Sequence, residues 1–583
     1  MTIQSQPAAS SAELAEFAWE TRYRRHSPGA SEESSLNDTW LRVAQCVAQA
    51  EAASPDRFAD VFHRAMADLR FLPGGRVLAN AGAGPQRTLF NCFVMGELHD
   101  NPDAIAEALH EGALTLQYGG GIGYDFSPLR PAGQRVGDGA ATAPGPVRLI
   151  EPFDSLCAGT STGTLRPGAM MATLACDHQD IRAFIDAKRE PGRFSASNLS
   201  VLVSDAFMDA VREDAPWPPT GQAGTPPARA LWDALLHAAY ETGEPGVLFI
   251  DRINETDNLG YVENIHATNP CGEIPLPAYG ACDLGSINLT RFVRRPFAND
   301  AEWDIDGLVA TTTLAVRFLD DVIDVSPFPL EQQAAQARGS RRIGLGVTGL
   351  ADSLILLGRR YGSRQGRMAA AVALRTVCHA AYRASCALAA EKGSFPWFDR
   401  DALLARPFIQ SLPDNIRARI HADGLRNSHL IALAPAGSIS LLADCVSSGI
   451  EPLPQIETEY RIGTGSGTTR AFNVTAYARR AWERHGGGPL PASFVTATAL
   501  EPDAHLLMQA ELQRYVDNAI SKTINLSPET PFDVFRVIYD EAYRLGLKGC
   551  TVFRPNPSTG EGVVGTRCGV ASNAPIAAAD GCD

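Results

Sequence analysis

Apolar positions along this chain alternate between two spacings. From Asn37, Trp40, Val43 and Val47 recur at helical intervals, and after Pro55 so do Phe58, Val61, Phe62, Ala65 and Leu69, which is the stripe of helices buried on one side. Pro73-Gly74-Gly75 closes this pair, because proline and glycine both disfavour a continuing helix. The run from Thr88 to Met95 is short, continuous and apolar, as are Met171 to Ala175, Gly246 to Ile250 and Arg342 to Val347, and such runs predict buried strands. Between them, Leu231, Ala234, Leu235 and Ala238 mark one helix, Leu308 to Val325 a second and Leu350 to Leu357 a third. Strands alternating with helices predict an α/β architecture, without a fixed-period repeat. The resulting organisation is a flexible lead-in over 1–35 with a short helix around Leu14 to Tyr23, a helical region over 36–85, a large α/β domain over 86–555 and a flexible tail over 556–583.

Composition narrows the function classes. The chain has 583 residues, 45% hydrophobic and 20% charged, ordinary for a globular enzyme. A net charge of −15 argues against a non-specific binder of nucleic acid or of a membrane surface. The first twelve residues lack a charged-then-apolar signal pattern, and no apolar run approaches the roughly 20 residues that span a bilayer, so a cytoplasmic location is expected. Twelve cysteines without any C-x-x-C pair give no zinc spacing, and no metal site is expected.

The chemistry concentrates in residues 267–276. Asn269, Cys271 and Glu273 stand at alternate positions, while Pro270 and Gly272 prevent a helix. In extended backbone these three side chains share a face, offering an amide, a thiol and a proton acceptor together; the plain alternative is a turn with a buried cysteine. Gly119-Gly120-Gly121 permits close approach of a ligand to the backbone. Leu430 to Leu433 is an apolar strand pattern that runs into the turn Pro435-Ala436-Gly437-Ser438-Ile439 and a helix start; the plain reading is Ser438 or Ser440 as an N-cap, and the functional reading adds a phosphate on the free N–H groups.

Cys282-Asp283-Leu284-Gly285-Ser286-Ile287-Asn288-Leu289 follows the loop at a short interval. With Asn269-Pro270-Cys271-Gly272-Glu273 it resembles the finger loop of ribonucleotide reductases, especially the adenosylcobalamin-dependent class II enzymes. The likeness extends from about Trp19 to about Gly562. It implies a ten-stranded α/β barrel of two five-stranded halves, antiparallel to each other, with the finger loop through its centre. Cys271 is then the thiyl-radical residue, with Asn269 and Glu273 as its catalytic partners. Cys92, which alone reads as core filler, becomes half of a redox-active disulfide with Cys282. Substrate contacts are expected from Asn91, Cys92, Gly120, Gly121, residues 269–273 and the turn Pro435 to Ile439. Asp100, otherwise a helix N-cap, and Arg166 are expected at an effector site. Cys568 and Cys582 in the tail are expected to act as an electron shuttle, although they stand farther apart than family tails usually place them.

The same resemblance implies adenosylcobalamin as cofactor, ribonucleoside diphosphates as substrates, deoxynucleotide or ATP effectors, a thioredoxin-like reductant, a homodimer, and no nucleic-acid or membrane partner. Two departures stand out: Leu165-Arg166-Pro167 where consecutive arginines are frequent, and Pro144 where a serine is frequent. The alternatives are a class I large subunit, which normally carries adjacent tyrosines near its end that this chain lacks; a glycyl-radical enzyme, whose motif Gly569 does not fit; and a nucleotide-binding regulator without turnover.

Overall fold

The computed structural model describes residues 10–25, 33–84, 87–136, 141–160, 168–218, 225–463 and 469–555. Within the stretch expected to be a flexible lead-in, Ser11–Arg22 is a packed helix. Ser10 and Glu13 form its capping box, and Leu14, Ala18, Trp19 and Tyr23 are buried. The expected helix pair follows as Leu36–Val47 and Pro55–Ala67, with Trp40, Val43, Val47, Phe62 and Ala65 inside.

The strands build a barrel. β1 (Phe71–Pro73) lies alongside β7 (Ala281–Asn288), next to β2 (Cys92–Val94). From β2 the sheet continues in parallel through β3 (Gly121–Asp125), β4 (Met170–Ala175), β5 (Ser197–Val203) and β6 (Gly246–Phe249). On its other edge, β7 pairs in parallel with β8 (Ile343–Thr348). Parallel bridges Leu345–Ile431 and Leu433–Ile520 then carry the ring through residues 430–433 toward β9 (Thr523–Asn525) and its parallel neighbour β10 (Gly549–Phe553). Backbone bonds support this closure, among them Leu345 N–H to Leu430 O at 2.8 Å and Ser521 N–H to Leu433 O at 2.9 Å. β10 meets β6 antiparallel, as β2 meets β7.

Residues 430–433 with β2 to β10 therefore close a ring of ten strands, five parallel strands in each half, with β1 outside it. Parallel strands need crossovers, and helices supply them on the outer face, including Ile305–Val325 and Arg364–Lys392, which pack against each other. The apolar interior is accordingly split. A large cluster lies between strands and helices, and a smaller one of Cys92, Val94, Ala267, Ile274, Leu276, Cys282, Leu284, Ala432 and Ala434 fills the barrel around residues 267–276. No helix among the described residues is long and apolar enough to cross a membrane.

Candidate active site

Residues 267–276 enter the barrel as a narrow hairpin. Ala267–Thr268 pairs antiparallel with Pro275–Leu276, and the tip turns at Asn269 to Gly272, where Gly272 N–H donates to Asn269 O at 3.1 Å. Pro270 at the second position and Gly272 at the fourth, with φ of +81°, are residues that a turn accepts and an extended strand does not. The expected alternation is thus replaced by a turn: Asn269 and Glu273 converge across its neck, with Cys271 at the tip. Asn269 Oδ1 locks that neck by accepting from Ile274 N–H at 3.0 Å and Thr268 Oγ1 at 3.2 Å. The wall holds the tip from both sides, through Asn198 Nδ2 to Pro270 O at 2.8 Å and Ala519 N–H to Glu273 O at 2.9 Å. Passage requires a bare wall: a Cβ on Gly123 would lie 2.0 Å from Thr268 O.

Cys92 on β2 and Cys282 on β7 are directly opposed partners across the antiparallel junction. Opposed residues in such a pair have Cα atoms about 4.5–5.5 Å apart, inside the ~4.4–6.8 Å range of disulfides. Both are free thiols. Asn269 Nδ2 donates to Cys92 Sγ at 3.2 Å, and Cys92 Sγ donates to Glu273 Oε1 at 3.9 Å. Asn269, Glu273 and Cys282 are 0% exposed and Cys92 2%, so these four groups share a dry chamber. Burial pushes both thiols well above their ordinary range, reinforced by the Glu273 carboxylate at Cys92 and by Asp283 at Cys282. Both therefore hold their protons at neutral pH. Asp283, facing away from Cys282 along β7, is wholly buried, finds no partner for either carboxyl oxygen among the described residues, and is pushed far above the carboxylate range by that burial.

Cys271 faces elsewhere. It borders an open cleft lined by β6, β10, Asn198, Gln509 and Lys522, at the other antiparallel junction of the barrel. Its sulfur is engaged in a disulfide.

The remaining expected residues divide. Gly121 is the register neighbour of Cys92, and a Cβ on Gly120 would strike the Phe93 ring. The Asn91 carboxamide abuts Gly74 and has no partner among the described residues. In the Pro435 to Ile439 turn the helix Gly437–Leu442 is preceded by Ala436 at φ +54°. Neither serine caps it as expected: Ser440 Oγ donates back to Gly437 O, and Ser438 Oγ shares a short hydrogen bond with Tyr23 OH. Asp100 is not the cap of its helix either. Asn101 Oδ1 accepts from Ala104 N–H, freeing Asp100 to pair with Arg130. Arg166, Cys568 and Cys582 lie outside the described residues.

Comparison with known proteins agrees with this architecture. Residues 90–553 match the family model described as ribonucleotide reductase, barrel domain, and residues 10–86 match ribonucleotide reductase, all-alpha domain. The chain belongs to the ribonucleotide reductase family. A vitamin B12-dependent ribonucleoside-diphosphate reductase of Mycobacterium tuberculosis is 38% identical over 93% of this chain and 79% of its own length. The protein of the same description from Thermoplasma acidophilum is 35% identical over 88% and 67%. A ribonucleoside-diphosphate reductase large subunit of variola virus is 26% identical over 63% and 53%.

Within this reductase fold the cleft beside Cys271 is the place that suits an adenosyl-bearing cofactor. It touches Cys271 and has apolar walls from Met171, Leu199, Leu248 and Ile520, and the buried Oε1 of Gln509 on its lining has no partner among the described residues. Its charged groups are already spent: Lys522 Nζ donates to Glu451 Oε2 at 2.6 Å and contacts His505 Nδ1 at 2.9 Å, and Glu244 pairs with Lys188 at 2.6 Å. The acidic trio Asp320, Asp321 and Asp324 is close enough to share a cation, but Arg341, Arg426 and Lys392 already engage it. Sequence reasoning missed Gln509, Lys522 and Asn198. Lys522, a lysine inside the otherwise neutral run Ala519 to Leu526, was the available signal.

Proposed function

We propose that this chain reduces ribonucleoside diphosphates to 2′-deoxyribonucleoside diphosphates by thiyl-radical chemistry, with adenosylcobalamin as its cofactor. The observation that carries this reading is the register of Cys92 with Cys282 in a closed chamber that also holds Asn269 and Glu273. The descriptions of the Mycobacterium and Thermoplasma relatives supply the substrate and cofactor class.

When bound, adenosylcobalamin supplies the carbon-centred radical that initiates the reaction. Cys271, reduced from its disulfide, gives up the Sγ hydrogen atom, and the thiyl radical takes the 3′-hydrogen of the ribose. Glu273 accepts the 3′-hydroxyl proton, and Asn269 holds the hydroxyls by its amide. The 2′-hydroxyl leaves as water while Cys92 and Cys282 give two electrons and two protons and join as a disulfide. Cys271 then returns the hydrogen to C3′. The sum is one ribonucleotide and two thiols converted to one deoxyribonucleotide, water and one disulfide. Buried thiols that keep their protons suit this delivery, since protons and electrons leave together.

The 5′-phosphates rest on the first N–H groups of Gly437–Leu442, which have no intrahelical acceptor. Asp100 and Arg166 belong to an effector site for deoxynucleotides or ATP, and the active species is a homodimer. A thioredoxin-like protein reopens the Cys92–Cys282 disulfide through Cys568 and Cys582. The test is anaerobic turnover of CDP with dithiothreitol, with and without adenosylcobalamin. Deoxycytidine diphosphate formed only with the cofactor supports the reading; no product from CDP or CTP with any effector overturns it.

A further inference from the structure

The cleft beside Cys271 holds a buried polar atom without a partner among the described residues. Gln509, on the helix Pro502–Gln513, is 2% exposed and lines the cleft. Its Nε2 donates to Gly549 O at 3.4 Å. A carbonyl oxygen only accepts, so this contact fixes which end of the amide faces β10. The other end, Oε1, is buried and has no donor among the described residues. A buried acceptor left unsatisfied costs about 1–3 kcal/mol, and a ligand that brings a donor recovers it.

The rest of the cleft specifies the ligand. Lys522 directs its ammonium to Glu451, His505 and Thr523 O, and Glu244 is held by Lys188 and by Leu199 N–H at 3.1 Å. Neither is available to a phosphate or to a cation. Met171, Leu199, Leu248 and Ile520 provide apolar walls. The site thus suits a neutral, flat heterocycle carrying an N–H donor, with the group attached to it directed at Cys271.

Given adenosylcobalamin as the cofactor, we infer that Gln509 recognises the adenine of its adenosyl arm, with Oε1 accepting from the 6-amino group. Gln509 is then a specificity residue for the upper ligand of the cofactor, separate from the contacts made by the corrin.

Binding of adenosylcobalamin and methylcobalamin, which share the corrin and differ in the upper ligand, is measured by calorimetry without substrate for wild type, Gln509→Leu and Gln509→Glu. Gln509→Leu should weaken adenosylcobalamin roughly tenfold, the worth of one buried hydrogen bond, and leave methylcobalamin unchanged; Gln509→Glu, which keeps an acceptor, should recover most of the loss. Equal weakening of both cobalamins, or no change, overturns the inference. Should the variants fail to fold, wild type should still prefer adenosylcobalamin roughly tenfold over the analogue lacking the 6-amino group, and equal affinity overturns it. If wild type binds methylcobalamin but discriminates neither upper ligand, only the Gln509 assignment falls; if it binds no cobalamin, the cofactor reading falls with it.

Discussion

Thr268 O occupies the space beside Gly123 so closely that a β-carbon there would be 2.0 Å from it. The finger hairpin is threaded against a strand that has no side chain at that point, and the opposing atom is backbone, which does not rotate away. Gly123→Ala should therefore displace the hairpin while the outer helices remain folded. Loss of placement by about 1 Å costs on the order of 10²-fold in rate, so turnover should fall at least that far with a cooperative melt retained. Near-normal turnover would show that the hairpin position is not set by this contact.

The cysteines should separate by step. Cys271→Ser should abolish both deoxynucleotide formation and release of tritium from the substrate 3′ position. Cys92→Ser and Cys282→Ser should still release tritium and form no deoxynucleotide, because the reductant is missing and the abstracting thiol is not. Glu273→Gln removes the proton acceptor and should lower turnover by ~10²–10⁴. Tritium release from Cys271→Ser would assign abstraction to another residue.

Tyr23 ties the N-terminal helix to the Pro435 to Ile439 turn through Ser438. Tyr23→Phe removes that bond and leaves the ring. If the turn carries phosphate, KM for the diphosphate should rise about two- to tenfold, the range of one hydrogen bond, with kcat largely kept. A fall in kcat alone would move Ser438 away from the phosphate.

Lys548 is buried and donates to Asp517 O at 2.7 Å and Asn518 O at 2.6 Å. Burial lowers its pKa from 10.5 to about 8, against the pull of Asp517 and Asp257. Between those values the unfolded chain binds more protons than the native one, so this lysine contributes stability that grows as pH rises from about 8 to 10.5 and is lost as pH falls through about 8. The difference in melting temperature between wild type and Lys548→Met should accordingly shift in favour of wild type as pH rises across that window. A difference independent of pH would place the lysine in contact with water.

Asn269, Cys271 and Glu273 could be singled out because they stand at alternate positions of one short stretch, with Cys282 soon after. Cys92 by itself reads as core filler, and only the resemblance pairs it with Cys282. Barrel closure was less legible. Residues 430–433 read as an apolar strand, but they enter the ring through isolated bridges, and nothing in the run itself says between which strands it lies. Local rules also left ties that only tertiary contacts break. Asp100 and Asn101 are both good caps, and the choice fell to Asn101 because Arg130 claims Asp100. Nothing local marks Gln509 either, since only packing encloses it.

The two half-barrels join at two junctions, and the chemistry is divided between them. Cys92 and Cys282 sit where β2 meets β7, and the cleft beside Cys271 opens where β6 meets β10. The hairpin between them is, in the proposed reaction, an insulator separating two circuits, one that moves single electrons and one that moves pairs. In the proposed reaction only a ribose seated on the hairpin connects them, so the cofactor's oxidising power has no path to the thiol pair until substrate completes it.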